Sequence, residues 1–338
     1  DLKMHQKNDV NILVDYLTFT IGTDCFVESV DNPDYEDETQ KGIMDLMCLV
    51  FGFGDLEFTY KHGFNGYADA WTKDGITICS GGCDTIMVQM SGKGCRLYES
   101  LDKSLDWMEL IEVVQSFRQH NFSRLDIACD TFGLLKMEKL MRYTLQQRYV
   151  SRFVDYFVGQ GNKEESIIFG SPTSRMRLRI YNKTLERIRQ LKTTENVPEN
   201  WVRLEFQLRD KSADCFINAW QMMQDISVAY FGVMNNQIRF VKRLEENVSR
   251  SVTVPWWAKF LKFEGKIPMA YKGGLEYNLQ SLNKYLFGQA GSSLKTWLEL
   301  NNYDTDKLVE MVKYKKLNER QENLLQAAGA DETELYTI

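Results

Sequence analysis

The sequence predicts an α+β fold: a curved antiparallel sheet built from a duplicated strand–helix–hairpin–strand unit, with helices packed on it and a smaller C-terminal helical region. Three observations carry this. Segments that alternate apolar and polar residues are interspersed with segments whose apolar residues recur at three- and four-residue steps, so both element types are present. The order strand, helix, hairpin, strand occurs twice before about residue 210. Beyond about residue 250 the alternating segments stop and only helical spacing remains.

Taken in order, "LVDYLTFT" (13–20) alternates and is bounded by Gly22, which reads as a strand. "TQKGIMDLMCLVFG" (39–52) has helical spacing. A hairpin region follows around "LEFTYKHG" and "GYADAWTKDGITICSGG", with Lys73-Asp74-Gly75 as its turn signal. "TIMVQMSG" (85–92) is a strand and "DWMELIEVVQSFRQ" (106–119) a helix. The second round begins with the strand "FSRLDIACDTF" (122–132) and the helix "KMEKLMRYTLQQ" (136–147). "ESIIFGSPTSRMRLRIYNK" (165–183) reads as a hairpin through Gly170-Ser171-Pro172, and "WVRLEFQLRD" (201–210) as the closing strand. Residues 211–246 read as long and helical, and Pro255 precedes "WWAKFLKF". The remainder reads as short helices, one capped by Ser293 and one by Asp304. The expected domains are therefore 1–248, holding every chemistry-bearing motif, and a helical region at 249–338.

Composition narrows the class. A 43% hydrophobic fraction is enough for a proper core and argues against long disorder. No run of about 18 apolar residues occurs, so no transmembrane helix and no membrane partner are expected. The polar N-terminus "DLKMHQKNDV" lacks a signal peptide's apolar stretch, and it lacks an initiator Met, which fits a piece of a longer protein. Seven cysteines without a framework spacing read as reduced, placing the chain in the cytoplasm. "CSGGC" (79–83) is a lone pair and reads as structural. The three histidines are far apart in sequence, which argues against His-rich zinc chemistry and against catalysis by a His pair.

The net charge of −6 is unlike a nucleic-acid binder, but its distribution is not. "RMRLRIYNKTLERIRQLK" (175–192) carries Arg175, Arg177, Arg179, Lys183, Arg187, Arg189 and Lys192 against the single acid Glu186. Local charge governs contact with phosphate.

Within that run, strand alternation puts Arg177, Arg179, Tyr181 and Lys183 on one face. The same parity collects Arg124, Asp126, Ala128 and Asp130 on 122–132, and Arg203, Glu205, Gln207 and Arg209 on 201–210. If these strands are neighbours, one sheet face gathers carboxylates, cations and a tyrosine. Carboxylates are the hard oxygen ligands that Mg²⁺ or Mn²⁺ takes, and such an ion polarises a phosphodiester. The cations would orient the phosphate and Tyr181 would attack it; a phenol ionising near pH 10 needs the metal and those cations to become useful. The competing explanation is an Arg–carboxylate ladder on a solvated face. Asp126 and Asp130 are four residues apart, roughly 13 Å along a regular strand, so Asp126 with Glu205 is the better ligand pair. In "MSGKGCR" (90–96), Gly92 and Gly94 offer a close backbone approach to phosphate beside Lys93 and Arg96, or else an ordinary helix N-terminus. Trp256 and Trp257 are candidates for base stacking, with packing against the C-terminal helices as the expectation.

"LVDYLTFT", "MSGKGCR", "SRLDIACD", "FGSPTSRMRLRIYNK" and "VRLEFQLR", in this order over roughly 10–245, resemble the Rep_trans family: rolling-circle replication initiators of Gram-positive plasmids and the related MobT-type relaxases of conjugative elements. The resemblance implies a strand transferase that nicks one DNA strand at an origin and stays covalently joined to it. It maps the family's catalytic tyrosine onto Tyr181, with Arg179 and Lys183 beside it. It maps the acidic metal-binding residues onto Asp126, Asp130 and Glu205. Arg175, Arg177, Lys93, Arg96 and Arg203 are then the expected DNA contacts. The implied partners are origin DNA, as a single-stranded or cruciform nick site with flanking duplex, and a helicase or conjugation accessory protein. The chain continues well past the catalytic motifs, which favours the relaxase branch. The alternative is an origin-binding regulator of the same fold that lacks the chemistry.

Overall fold

The computed structural model describes residues 10–23, 50–54, 56–102, 104–161, 164–247, 250–261 and 291–313. The chain forms two compact units, 1–270 and 271–338.

The first unit is organised around two long strands, β1 (Val10–Gly22) and β6 (His120–Phe132), each of 13 residues and paired antiparallel at the centre of a ten-stranded sheet. On the β1 side lie β2 (Thr59–His62), β3 (Asp69–Lys73), β4 (Ile76–Ser80) and β5 (Thr85–Met90). On the β6 side lie β8 (Tyr156–Gly161), β9 (Glu164–Phe169), β10 (Met176–Asn182) and β11 (Trp201–Arg209). The order across the sheet is β2-β3-β4-β5-β1-β6-β11-β10-β9-β8, antiparallel throughout. Each half is thus a long strand followed by a four-stranded meander whose last strand returns to pair with it, the repetition that the sequence pattern predicts. The helix expected at 39–52 lies, apart from its last three residues, outside the described residues. A separate two-stranded ribbon joins β7 (Tyr149–Ser151) to β12 (Ile238–Phe240).

The helices of this unit are α1 (Gly92–Glu99), α2 (Trp107–Ser116), α3 (Met137–Leu145), α4 (Lys183–Leu191), α5 (Lys211–Met223), α6 (Ile226–Gln237) and α7 (Pro255–Phe260). α2 starts with a capping box between Asp106 and Glu109. Two helical expectations change. The stretch from 211 is two helices rather than one, because Gln224 takes a left-handed conformation (φ 55°) and the Asp225 side chain caps the next helix by accepting from the Ser227 N–H. Lys183 does not continue the β10 strand. Asn182 caps α4 there, accepting from the Leu185 N–H, so Lys183 is the first helical residue.

One sheet face carries the core. Leu125, Ile127 and Cys129 of β6, Leu204, Phe206 and Leu208 of β11, and Leu178 and Ile180 of β10 pack with Phe216, Tyr230 and Phe231 of α5 and α6. The buried Tyr230 hydroxyl donates to the Leu204 carbonyl at 2.8 Å, which pins α6 to the middle of the sheet. α7 belongs to the same core: Trp257 and Phe260 are fully buried, with rings 4.9 Å from Phe240 and 5.4 Å from Phe231 respectively. The first unit therefore runs past residue 248, because the Pro255-initiated turn delivers apolar surface back onto it. Trp256 packs on Tyr143 and Phe240 of this unit, so neither tryptophan is set out for stacking on bases.

In the second unit, α8 (Gly291–Leu300) and α9 (Thr305–Lys313) are described. Asp304 caps α9, accepting from the Lys307 N–H at 3.0 Å. Ser293 falls inside α8 rather than at its cap.

Candidate active site

The opposite face is polar across β6, β11 and β10, which are neighbours in the sheet. Their registers place the expected residues in transverse rows. Asp130 pairs with Arg203 and Arg203 with Tyr181; Ala128 pairs with Glu205 and Glu205 with Arg179; Asp126 pairs with Gln207 and Gln207 with Arg177; Arg124 pairs with Arg209.

Tyr181 is the centre of the arrangement. Its hydroxyl donates to Glu205 Oε2 at 3.4 Å and accepts from Lys183 Nζ at 3.5 Å, a contact that survives because the first turn of α4 swings Lys183 back over the strand. Lys183 is also ion-paired to Glu186. The Arg179 guanidinium lies over the ring, 4.2 Å from its centroid, and meets Glu164 at 3.7 Å. The cations do not make the phenol acidic. Burial pushes its pKa up and the Glu205 carboxylate pushes further in the same direction, with Arg203 opposing both. Deprotonation at this site needs a base in contact, and Glu205 is the carboxylate in hydrogen-bonding position.

Arg203 is buried, and its bonds run to protein. Its Nε and Nη2 meet both oxygens of Asp130 at 2.7 and 2.8 Å, and Nη1 meets Asp15 at 2.9 Å. Burial alone would lower its pKa, but the Asp130 bond overrides this and raises it. Arg203, the expected DNA contact, thus clamps protein carboxylates here, and both oxygens of the expected ligand Asp130 are engaged by it. Arg124 grips Asp126 in the same way, Nε at 3.0 Å and Nη2 at 2.5 Å. Even so, burial carries the Asp126 carboxyl up to about 7, with Glu205 and Asp15 adding to the shift against Arg124.

Asp15 was not among the sequence candidates. It occupies a β-bulge, since Val14 pairs with Ile127 and Tyr16 with Asp126, leaving Asp15 as the extra residue. The bulge lets Val14 and Leu17, three positions apart, both be core residues, which regular alternation does not allow.

Arg177 donates Nη1 to Gln207 at 3.3 Å, while its Nε is buried without a partner. Burial lowers its pKa, and Arg209, Arg124 and Arg179 lower it further against Glu205, so positive charge concentrates at this end of the face. Arg175 precedes β10 and its carbonyl accepts from the Arg209 N–H at 2.8 Å. Lys93 and Arg96 are engaged by protein groups. Lys93 pairs with Asp74 at 2.6 Å, and Arg96 bonds the Val14 carbonyl at 2.5 Å and Glu99 at 2.8 Å. Gly94 is required by packing, since a Cβ there would sit 2.3 Å from the Gly75 carbonyl oxygen.

Among the described residues no three His, Cys, Asp or Glu side chains converge into a ready metal cluster. Asp126 and Glu205 are nonetheless hard oxygen donors, close enough for their charges to interact, of the kind that Mg²⁺ or Mn²⁺ takes.

The sequence and fold have counterparts. A protein of Bacillus subtilis (strain 168) named DNA relaxase NicK is 25% identical over 288 residues, spanning 80% of this chain and 81% of its own length. The structure of the rolling circle replication initiator protein from Geobacillus stearothermophilus superposes with a TM-score of 0.59 at 26% identity, covering 77% of this chain and 99% of that one. The profile of the replication initiation factor family, Rep_trans, matches residues 120–312, beginning at β6 and including Asp126, Tyr181 and Glu205. That match spans more than half of the chain, and the protein belongs to the replication initiation factor family.

Proposed function

We propose that this protein nicks one strand of DNA at an origin and transfers that strand to Tyr181, as a relaxase or rolling-circle replication initiator. The observation that carries the reading is a buried phenol held between Glu205 and Lys183 on a sheet face whose far end is a cluster of arginines. The relatives named for DNA relaxation and rolling-circle initiation support it.

In this reading Arg177, Arg175 and Arg209 hold the DNA backbone across the sheet. Arg179 keeps the Tyr181 ring in place from above. The phenolic oxygen forms a bond to the scissile phosphorus as the bond from phosphorus to the deoxyribose oxygen breaks. The phenolic proton goes to Glu205, and the departing deoxyribose oxygen takes up a proton from solvent. Lys183 holds positive charge beside the oxygen while it is anionic. One phosphodiester is exchanged for another, so the strand is resealed later without an external energy source. Asp126 and Glu205 would hold a divalent cation, whose contribution when bound is to neutralise charge on the phosphate oxygens. Asp130, Arg203 and Asp15 fix β6, β11 and β1 relative to one another and do not touch substrate. A helicase or conjugation accessory protein that separates the strands completes the reading. No described helix is long and apolar enough to cross a membrane.

The test is incubation of the protein with supercoiled origin plasmid and Mn²⁺, stopped with SDS. The expected product is an open circle carrying covalently attached protein. Binding without any nick would leave an origin-binding regulator of the same fold.

A further inference from the structure

The polar face continues past Tyr181 to the edge strand β8, where it changes character. Gly159 pairs with Ser166, which pairs with Tyr181; Phe157 pairs with Ile168, which pairs with Arg179. Phe157 and Gly159 therefore share the face of the nucleophile, two strands away, roughly 10 Å at about 4.8 Å per strand. Tyr156, the next residue, points the other way and packs on Phe169 and Tyr149. Among the described residues Phe157 has no such partner, and it is 62% exposed.

Its ring is not loose in solvent. A Cβ built on Gly159 would lie 3.3 Å from Phe157 Cε1 and 3.9 Å from Cζ, so the ring lies against the bare backbone of that glycine. Gly159 is absent from the positive-φ residues, so its backbone does not call for glycine. What the missing side chain supplies is room for the ring and for the Ser166 Oγ, which would lie 3.1 Å from that Cβ. Gly161 continues the same face with nothing within 4 Å of its Cβ position. An aromatic ring laid on a sheet beside glycines, with its outer side open, is a surface for another flat ring. Every nucleobase has such a face, but only an unpaired base presents it.

We propose that Phe157, seated on Gly159, is a stacking platform for one unpaired base of the DNA strand held at Tyr181. The occupant is single-stranded DNA because the platform continues the face that carries Arg177, Arg179 and Tyr181, whose cations suit the backbone joining that base to the scissile phosphate. This rests on the DNA-nicking reading, which places the strand on the face. Phe157 lies in the row of Arg179, two residues along from Tyr181, so the separation is about 12 Å and the base falls within about four nucleotides of the cut, given a rise of about 3.4 Å per stacked nucleotide.

The test uses binding, so it is independent of nicking. A short thymidine oligonucleotide carrying 5-iodouracil is bound to the full chain in EDTA and irradiated, and the crosslinked peptide is identified by mass spectrometry. The crosslink is expected on the peptide containing Phe157. Affinity for the single strand is expected to fall at least about fivefold in Phe157→Ala, and to be retained in Phe157→Trp. Gly159→Val, which lifts the ring, should weaken single-strand binding as Phe157→Ala does, while binding of a duplex of equal length stays unchanged in all three variants. Equal single-strand affinity of wild type and Phe157→Ala, or a crosslink confined to other peptides, overturns the platform. Plasmid nicking by wild type, scored separately, decides the underlying reading: nicking without a Phe157 effect removes only the platform. A Phe157-dependent crosslink without nicking leaves a single-strand site on a protein that does not cut.

Discussion

The two halves of the sheet share a topology and differ in what they put on it. Around β6 the polar face carries Arg124, Asp126, Arg203, Glu205, Arg177, Arg179 and Tyr181. Around β1 the corresponding meander buries a small cluster of Ala70, Cys79 and Met87, with Tyr67 against it and bonded to Thr85 at 2.8 Å. The helix that follows the meander is close-packed in the first half by Gly94 on Gly75, where Lys93 and Arg96 are used in holding the turn and the strand. Two meanders around a shared pair of long strands explain the fold. They do not explain chemistry, which comes from the side chains that alternation sends to one face of one half. The first half nevertheless contributes across the seam: Asp15 on its bulge is a ligand of Arg203 in the second.

The largest expected difference between the halves is catalytic. Tyr181→Phe should abolish the covalent adduct while leaving DNA binding intact, and Tyr67→Phe should change neither; gel analysis after SDS reads both. An adduct that persists in Tyr181→Phe would transfer the role to another tyrosine. Next, Glu205→Gln keeps the shape but removes the base, and should slow cleavage roughly 10²–10⁴-fold in a single-turnover assay. A rate within a few-fold of wild type would remove Glu205 from the proton's path.

Smaller in scale is the effect on stability. Arg203→Met leaves the buried Asp130 and the half-buried Asp15 without their guanidinium, and should cost about 3–5 kcal/mol in denaturant unfolding. Lys93→Met in the first half breaks an exposed pair and should leave the unfolding midpoint unchanged. Equal effects would mean that the seam is not held by this clamp.

The smallest effect is a pH dependence. The Asp126 carboxyl, near 7 when folded, sits well above its unfolded value of about 3.9. The folded state therefore binds the extra proton between these values, and stability should fall as pH rises through that window. Asp126→Asn should remove this component of the slope. Divalent cation, which binds the ionised form, should stabilise wild type more at pH 8 than at pH 5. A thermal-shift series with and without Mn²⁺ at each pH measures both.

The strands of the second half were legible because period-two alternation survives in a sheet with one buried face, and Arg177, Tyr181 and Glu205 fall where parity puts them. Their register was not legible, and register decides the roles. Arg203 and Asp130 look like a DNA contact and a metal ligand in sequence, but as directly paired residues they satisfy each other. Asp15 was hidden by a bulge that breaks the alternation used to find the others. The break at Gln224 was missed because an apolar helical pattern resumes directly after Asp225. Lys183 was assigned to the strand, yet reaches the phenol from the first turn of a helix, a contact no strand parity describes.

The central claim is that the face of the second half is the active site and Tyr181 its nucleophile. The direct measurement is mass spectrometry of the protein after reaction with origin DNA and Mn²⁺, followed by nuclease and tryptic digestion. The expected result is a nucleotide phosphate attached to the peptide that contains Tyr181, absent when the reaction is run with EDTA. Attachment to any other tyrosine, or to none while the DNA is cut, would contradict it.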